Sequence, residues 1–179
     1  MAHGMNIPNA LTLLRLLLVP GFLIAVIYGR LPAALTLFVV AAITDFLDGL
    51  LARILGQETL LGAYLDPVAD KLLCITAFVS LAAVGVLPAW LAVLVVAKDL
   101  YAALGALIVL FCNRPLPEGP SPWGKLATGL ELLTAGIALL AVVVGAGGAF
   151  LPPLFALTGA MTAVAGLHYV VGGVLFLSR

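Results

Sequence analysis

Residues 45–70 read DFLDGLLARILGQETLLGAYLDPVAD and hold four aspartates within an apolar stretch. These are Asp45, Asp48, Asp66 and Asp70. The first two are three positions apart and the last two are four apart, so each pair lies on one face of a helix. The pairs lie at nearly equal distances from a turn at residues 56–59, and an antiparallel hairpin therefore sets them level. The stretch predicts two packed helices with four converging carboxylates.

The rest of the chain is apolar enough to cross a membrane repeatedly. Of its 179 residues, 64% are hydrophobic and 9% are charged, whereas soluble domains carry about 25% charged residues. Apolar runs of this length are typical of membrane spans. We therefore expect an all-α, polytopic membrane protein with about six transmembrane helices, forming a single domain over residues 1–179. The predicted helices cover about 10–29, 33–55, 60–85, 88–111, 123–145 and 151–177.

Charge limits the partners and sets an orientation. The net charge is +0, which gives no indication of a nucleic-acid partner. Lys and Arg concentrate on one side of the predicted bundle, at the ends that carry Arg53 and Lys125. Because cytoplasmic loops carry the excess of positive charge, we expect these ends and both termini in the cytoplasm. We expect an integral protein of the bacterial inner (plasma) membrane, with its active site facing the cytoplasm.

The four aspartates predict a metal site. A carboxylate at membrane depth is costly, and such residues mark functional sites by default. Four together repel one another unless a cation lies among them. An all-oxygen set suits Mg²⁺ or Mn²⁺, and we expect two ions; no His or Cys is placed to favour zinc.

Small residues and one cation near the aspartates predict a place for a phosphorylated ligand. Gly49 and Ala52 clear space beside the first pair, and Gly62 precedes the second pair by one helical turn. Small residues let helices or a ligand approach closely. Arg53 can bind a diphosphate through two hydrogen bonds.

Two other readings of the carboxylates stay open. One is a buried ion-pair network that only holds helices together, although two cations, Arg53 and Lys71, cannot neutralise four carboxylates. The other is an ion or proton transporter that uses the aspartates as its path. The transporter reading does not explain the spacing of Gly49, Ala52 and Arg53.

The spacing D-x2-D-G-x2-A-R-x8-G-x3-D-x3-D over residues 45–70 resembles the signature of the CDP-alcohol phosphatidyltransferase family. The segments NIPNALTLLRLLLVP (6–20) and LDPVADKLL (65–73) resemble its phosphatidylglycerophosphate synthase and CMP-forming cardiolipin synthase branches. The resemblance implies six transmembrane helices, a homodimer, and metal-dependent transfer of a phosphatidyl group from CDP-diacylglycerol to an alcohol, with release of CMP.

The resemblance also implies roles for individual residues. The metals are held by Asp45, Asp48, Asp66 and Asp70. The catalytic residues are Asp70, as general base, and Asp66. The CDP site is formed by Gly49, Ala52, Arg53 and Gly62.

The acceptor alcohol is predicted less directly. Phosphatidylglycerophosphate synthases commonly carry an R-E…R-E pattern on the fourth helix, and this chain has Lys98-Asp99 followed by apolar residues. We place glycerol 3-phosphate first and phosphatidylglycerol second. The candidate acceptor contacts are Lys125, Lys98, Arg15 and Arg114, each of which can instead extend to the membrane interface. Glu131 is expected either to pair with Lys125 or to face a polar seam.

Overall fold

The chain forms six α-helices in a computed structural model that describes residues 7–55, 60–111, 121–146 and 148–177. They are α1 (Ile7–Ile27), α2 (Leu31–Leu55), α3 (Leu60–Ala83), α4 (Ala89–Phe111), α5 (Pro122–Val143) and α6 (Leu151–Leu177). Within them, side chains are described except at 7–9, 46, 48–55, 60–67, 106, 109–110 and 174–177. The described part contains no β-strand. The all-α prediction is confirmed, and the predicted helix ends fall within a few residues of the observed ones.

Three helices are long and apolar enough to cross a membrane. They are Ala10–Ile27 in α1, Pro122–Val143 in α5 and Leu151–Gly173 in α6. A shorter apolar segment, Leu31–Asp45, lies in α2. These segments are the candidates among the described residues. Helices α2, α3 and α4 each contain side chains outside that set. The number of six transmembrane helices therefore stays a prediction.

Local sequence signals explain several helix ends. Gly29, Gly85 and Gly145 follow α1, α3 and α5 with φ of 67°, 76° and 68°, a conformation that glycine adopts without a Cβ penalty and that commonly ends helices. Ser121 begins α5, because its side chain accepts a hydrogen bond from the backbone N–H of Gly124. This N-cap bond satisfies one of the donors that the first turn leaves free.

The helices pack in two groups, α1 to α3 and α4 to α6, which contact each other through α2, α3, α4 and α5. Helix α1 packs on α2 and α3, and α6 packs on α4 and α5; α3 contacts α4 and α5, and α2 contacts α5. The core joins many buried alanines to a few large side chains, with the rings of Phe22 and Phe38 5.9 Å apart and tilted by 47°. Small residues allow close helix packing where the surrounding solvent is itself apolar.

Two glycines bring α6 close to its neighbours. A Cβ added at Gly124 would lie 1.9 Å from the hydroxyl oxygen of Tyr169, and one added at Gly159 would lie 2.5 Å from the ring of Trp90. Both separations are too short for a larger residue unless the ring moves. Glycine thus lets α6 pack beside the starts of α4 and α5, next to Lys125.

Candidate active site

A buried arginine on α1 joins the two outer aspartates of the 45–70 stretch. Arg15 Nη1 lies 2.6 Å from Asp45 Oδ1 on α2 and 2.5 Å from Asp70 Oδ1 on α3. The Arg15 side chain is 0% exposed, whereas those of Asp45 and Asp70 are 36% and 39% exposed. Since both carboxylate oxygens contact one nitrogen, they lie no farther apart than the sum of these distances. The structure thus brings together one residue from each predicted pair.

The neighbours of these residues explain their direction. Ala69 is fully buried, so α3 packs against the core through this small side chain. Asp70, the next residue, is thereby directed toward Arg15. Thr44 is also buried, and its hydroxyl donates to the carbonyl of Ala41 in the same helix. Asp45 therefore follows a residue whose polar group is satisfied within α2, and its own carboxylate meets α1.

The other residues predicted for this site lie outside the described side chains. These are Asp48, Gly49, Ala52, Arg53, Gly62 and Asp66; their backbones belong to α2 and α3. Among the described residues, no three potential ligands come together in a metal-binding arrangement. The two described aspartates nevertheless fit a hard divalent ion, because they offer only oxygen ligands and are partly exposed. Metal binding stays a prediction.

A second polar group lies deeper, between α4, α5 and α6. Lys98 Nζ lies 3.0 Å from Oε1 and 2.8 Å from Oε2 of Glu131, and Thr162 donates to Oε1 at 2.8 Å. All three side chains are buried. Glu131 faces Lys98, so its alternative pairing with Lys125 is wrong; Lys125 is exposed at the start of α5.

One aspartate connects this group to α3. Asp99 Oδ1 lies 2.9 Å from Lys71 Nζ and 3.4 Å from Lys98 Nζ. Lys71, Asp99, Lys98 and Glu131 therefore alternate in sign across α3, α4 and α5; we call these four residues the charge line. It begins one residue after Asp70. The acceptor-contact role predicted for Lys98 stays a prediction, and its ammonium already has two carboxylate partners.

An apolar groove runs along the outside of α2 and α5. Its volume is about 710 Å³, and its walls are α2 residues between Leu35 and Leu47 and α5 residues between Gly129 and Leu140. Leu47 is two residues beyond Asp45. At 1.5 Å per residue, the α2 wall is about 18 Å long, close to half the roughly 30 Å thickness of a bilayer's hydrocarbon core.

Comparison with known proteins assigns the family. Residues 5–171 match the sequence pattern described as CDP-alcohol phosphatidyltransferase. The chain belongs to the CDP-alcohol phosphatidyltransferase family. The resemblance deduced from the spacing of residues 45–70 is thereby confirmed, and the protein is a transferase.

Individual relatives of this phosphatidyltransferase carry two kinds of name. It is 36% identical to a probable phosphatidylglycerophosphate synthase of Mycobacterium tuberculosis, over 97% of this chain and 81% of that protein. It is 32% identical to the CDP-diacylglycerol–glycerol-3-phosphate 3-phosphatidyltransferase of Bacillus subtilis, over 75% of this chain and 77% of that one. It is also 33% identical to a probable CMP-forming cardiolipin synthase of Drosophila melanogaster, over 93% of this chain and 57% of that one.

These matches set the general role of the phosphatidyltransferase. Its family and relatives belong to phospholipid biosynthesis, and its apolar helices agree with a membrane protein. The names of the relatives indicate two different acceptors, and the sequence of this chain likewise leaves both acceptors open. The acceptor therefore has to be argued from the site itself.

Sequence reasoning on this phosphatidyltransferase missed the partners of its cations. Arg15 was expected to contact the acceptor, and it binds two aspartates. Lys71 was considered as a cation that could neutralise the aspartates of residues 45–70, and it binds Asp99. A cation inside an apolar helix needs a carboxylate partner, which was a usable signal. The identity of that partner depends on helix packing, which the local sequence does not contain.

Proposed function

We propose that the protein transfers a phosphatidyl group from CDP-diacylglycerol to glycerol 3-phosphate and releases CMP. The observation that carries this proposal is the convergence of Asp45 and Asp70, from two helices, on the buried Arg15. Partly exposed carboxylates held by a rigid helical frame give a reaction centre open to substrate. The names of the Mycobacterium and Bacillus relatives favour glycerol 3-phosphate as the acceptor.

In the proposed reaction, Asp70 accepts the proton of the acceptor hydroxyl, whose oxygen attacks the β-phosphate of the donor while CMP leaves. Arg15 holds the Asp70 carboxylate in position, and a positioned base contributes about 10²–10⁴-fold to the rate. Asp45, Asp48, Asp66 and Asp70 would hold Mg²⁺ or Mn²⁺, two ions in all, which would offset the charge of the diphosphate and the leaving group.

The diphosphate end of the donor is assigned to residues between the aspartates. Gly49, Ala52 and Gly62 are expected to leave room for it, and Arg53 is expected to bind its oxygens. These four positions share helices α2 and α3 with Asp45 and Asp70. The donor's reacting phosphate would therefore lie between the same two helices as the proposed base.

The groove between α2 and α5 supports a lipid donor. It is apolar along its walls and reaches Leu47, at nearly the same height along α2 as Asp45, so an acyl chain lying in it would bring its headgroup to the level of the carboxylates. Its length of about 18 Å suits a chain that extends through one leaflet. We assign the groove to an acyl chain of CDP-diacylglycerol.

Lys125 is the first choice for the phosphate of glycerol 3-phosphate. It is exposed at the start of α5, where an ammonium can meet a soluble anion as a point charge. Arg15 and Lys98 are buried against carboxylates, which makes a direct contact with the acceptor less favourable for either.

A second candidate acceptor is phosphatidylglycerol, which would make the protein a CMP-forming cardiolipin synthase. The Drosophila relative carries that name, and Lys98-Asp99 followed by apolar residues does not reproduce the R-E…R-E pattern common in phosphatidylglycerophosphate synthases. An ion or proton transporter that uses the aspartates of residues 45–70 as its path is a candidate of another class. Metal-dependent ion flux in liposomes, without CMP release, would favour the transporter.

The membrane arrangement is part of the proposal. We propose six spans in the bacterial inner membrane, with the site open to the cytoplasm, and a homodimer. A cysteine introduced at Gln57 should resist an impermeant thiol reagent added outside intact cells, whereas labelling would contradict the orientation. Light scattering of the detergent-solubilised protein measures the number of chains, and a monomer would contradict the dimer.

The decisive experiment offers the purified protein CDP-diacylglycerol together with glycerol 3-phosphate or phosphatidylglycerol, in separate reactions, and identifies the lipid product. Phosphatidylglycerophosphate with release of CMP is expected. Cardiolipin as the sole product would assign the second acceptor. Asp66→Asn should lower the rate to less than about a tenth of the native rate at saturating Mg²⁺, since metal stabilisation is worth several kcal/mol.

A further inference from the structure

Asp70 and Lys71 are adjacent in α3 but face different helices. Asp70 contacts Arg15 on α1, whereas Lys71 Nζ lies 2.9 Å from Asp99 Oδ1 on α4. Successive residues of an α-helix are rotated by about 100°, so a single turn of α3 serves both contacts. The proposed catalytic carboxylate and this ammonium are thus held apart, although they are neighbours in sequence.

Because Asp70 and Lys71 bind different partners, the aspartates of residues 45–70 and the charge line can be assigned separate net charges. The charge line contains two ammonium groups and two carboxylates and is neutral. The two described aspartates of residues 45–70, Asp45 and Asp70, bind Arg15, whereas Lys71 binds Asp99. By formal charge, these two carboxylates and one guanidinium sum to −1, and a net negative charge favours binding of a divalent cation.

Only Asp99 holds the Lys71 ammonium within the part of the structure that is described. The Lys71 side chain is 44% exposed, whereas that of Asp99 is 9% exposed. The four-carbon stem of lysine is flexible, and half-exposed atoms are not fixed by packing. An ammonium released from Asp99 is attracted to the remaining carboxylates nearby, and Asp70 belongs to the adjacent residue.

We infer that Asp99 is a positioning residue that acts through Lys71. By binding that ammonium on the α4 side, it keeps a positive charge out of the aspartate site and preserves the site's affinity for a divalent cation. Lys98 and Glu131 complete the arrangement. They hold Asp99 in place in the bundle, and they do so without using the aspartates of residues 45–70 as partners. The inference rests on the metal dependence in the proposed function.

The test measures Mn²⁺ binding to the purified protein without lipid substrate, by loss of the free-ion electron paramagnetic resonance signal. Four proteins are compared: native, Asp99→Asn, Lys71→Gln and the double variant. Asp99→Asn should raise the Kd for Mn²⁺ by at least about tenfold, since an ammonium near the carboxylates repels the ion. Lys71→Gln should bind as tightly as the native protein or more tightly, and the double variant should match Lys71→Gln.

The same four proteins separate this mechanism from others. If Asp99→Asn weakens binding by the same factor with and without Lys71, the carboxylate acts through space and the inference is wrong, because coupling between the two sites is its central claim. If Lys71→Gln weakens binding, the pair merely holds helices together and the inference is also wrong. A native affinity in Asp99→Asn overturns it as well.

Two further measurements keep the inference testable if the first comparison fails. With Asp99→Asn, the Mg²⁺ concentration for half-maximal CMP release should rise about tenfold, while the rate at saturating Mg²⁺ stays near the native rate. If Asp99→Asn does not yield a monodisperse protein, Lys71→Gln alone decides, since weaker Mn²⁺ binding contradicts the inference and unchanged or tighter binding supports it. A native protein that binds no Mn²⁺ would overturn the proposed metal site itself, and this inference with it.

Discussion

The Nζ atom of Lys98 on α4 lies within hydrogen-bonding distance of both carboxylate oxygens of Glu131 on α5, at 3.0 and 2.8 Å. Both side chains are buried, and Thr162 on α6 donates a third hydrogen bond to Glu131. One carboxylate thus ties three helices together. In an apolar surrounding such a pair has no water to replace a lost partner.

Removing one partner of this pair should strongly destabilise the protein. Lys98→Met leaves the Glu131 charge buried without its main partner, and we expect a loss of about 3–5 kcal/mol in the free energy of unfolding. The double variant Lys98→Met/Glu131→Leu should recover most of this loss. Thermal unfolding in detergent measures both. Lys125→Met is the matched control, because it removes an exposed lysine; an equal loss there would contradict the argument.

Asp70→Asn should nearly abolish activity with little loss of stability. An amide cannot accept the acceptor's proton, and the expected drop in kcat is at least about 100-fold. The side chain is partly exposed, and Arg15 retains its contact with Asp45, so the melting temperature should change little. CMP release at saturating substrate measures the rate. The neighbouring variant Lys71→Gln should keep its rate at saturating Mg²⁺. A fall of less than tenfold in Asp70→Asn would refute its role as the base.

Filling the groove should discriminate between donors of different chain length. Gly129 lines the groove, and a Cβ added there meets nothing within 4 Å, so Gly129→Leu places a side chain where the acyl chain is proposed to lie. We expect the KM for a long-chain CDP-diacylglycerol to rise about tenfold, with little change for a short-chain donor. Gly105→Leu on α4, also in open space, is the control. Equal effects on both donors would remove the groove from the donor site.

Lys125→Ala should affect the acceptor more than the donor. If the ammonium binds the phosphate of glycerol 3-phosphate, the KM for that substrate should rise about tenfold while its kcat is nearly unchanged, since the contact is equal in ground and transition states. Arg30→Ala, at an exposed position between α1 and α2, removes a cation elsewhere. Steady-state kinetics with each substrate varied provides the comparison. An unchanged acceptor KM would exclude phosphate binding by Lys125.

The sequence was sufficient for the helices and for the family, but only for part of the site. Glycines and prolines end apolar runs in ways that local rules describe, and the aspartate spacing is a property of one continuous stretch. The pairing of Arg15 with Asp45 and Asp70 required the rotation of α1 against two other helices. The contact of Glu131 with Lys98 and not with Lys125 likewise depended on how α4 and α5 pack.

The charge line also has a consequence for how the chain enters the membrane. As α4 emerges from the ribosome it carries Lys98 and Asp99 in its middle, and each charged residue at a helix centre disfavours insertion by about 2.5–3.5 kcal/mol. The partners of these residues lie on α3 and α5. Because α5 follows α4 in the chain, it is synthesised only after α4 has reached the insertion machinery. In the six-span arrangement that we propose, stable integration of α4 depends on α3 already lying beside it and on the later synthesis of Glu131.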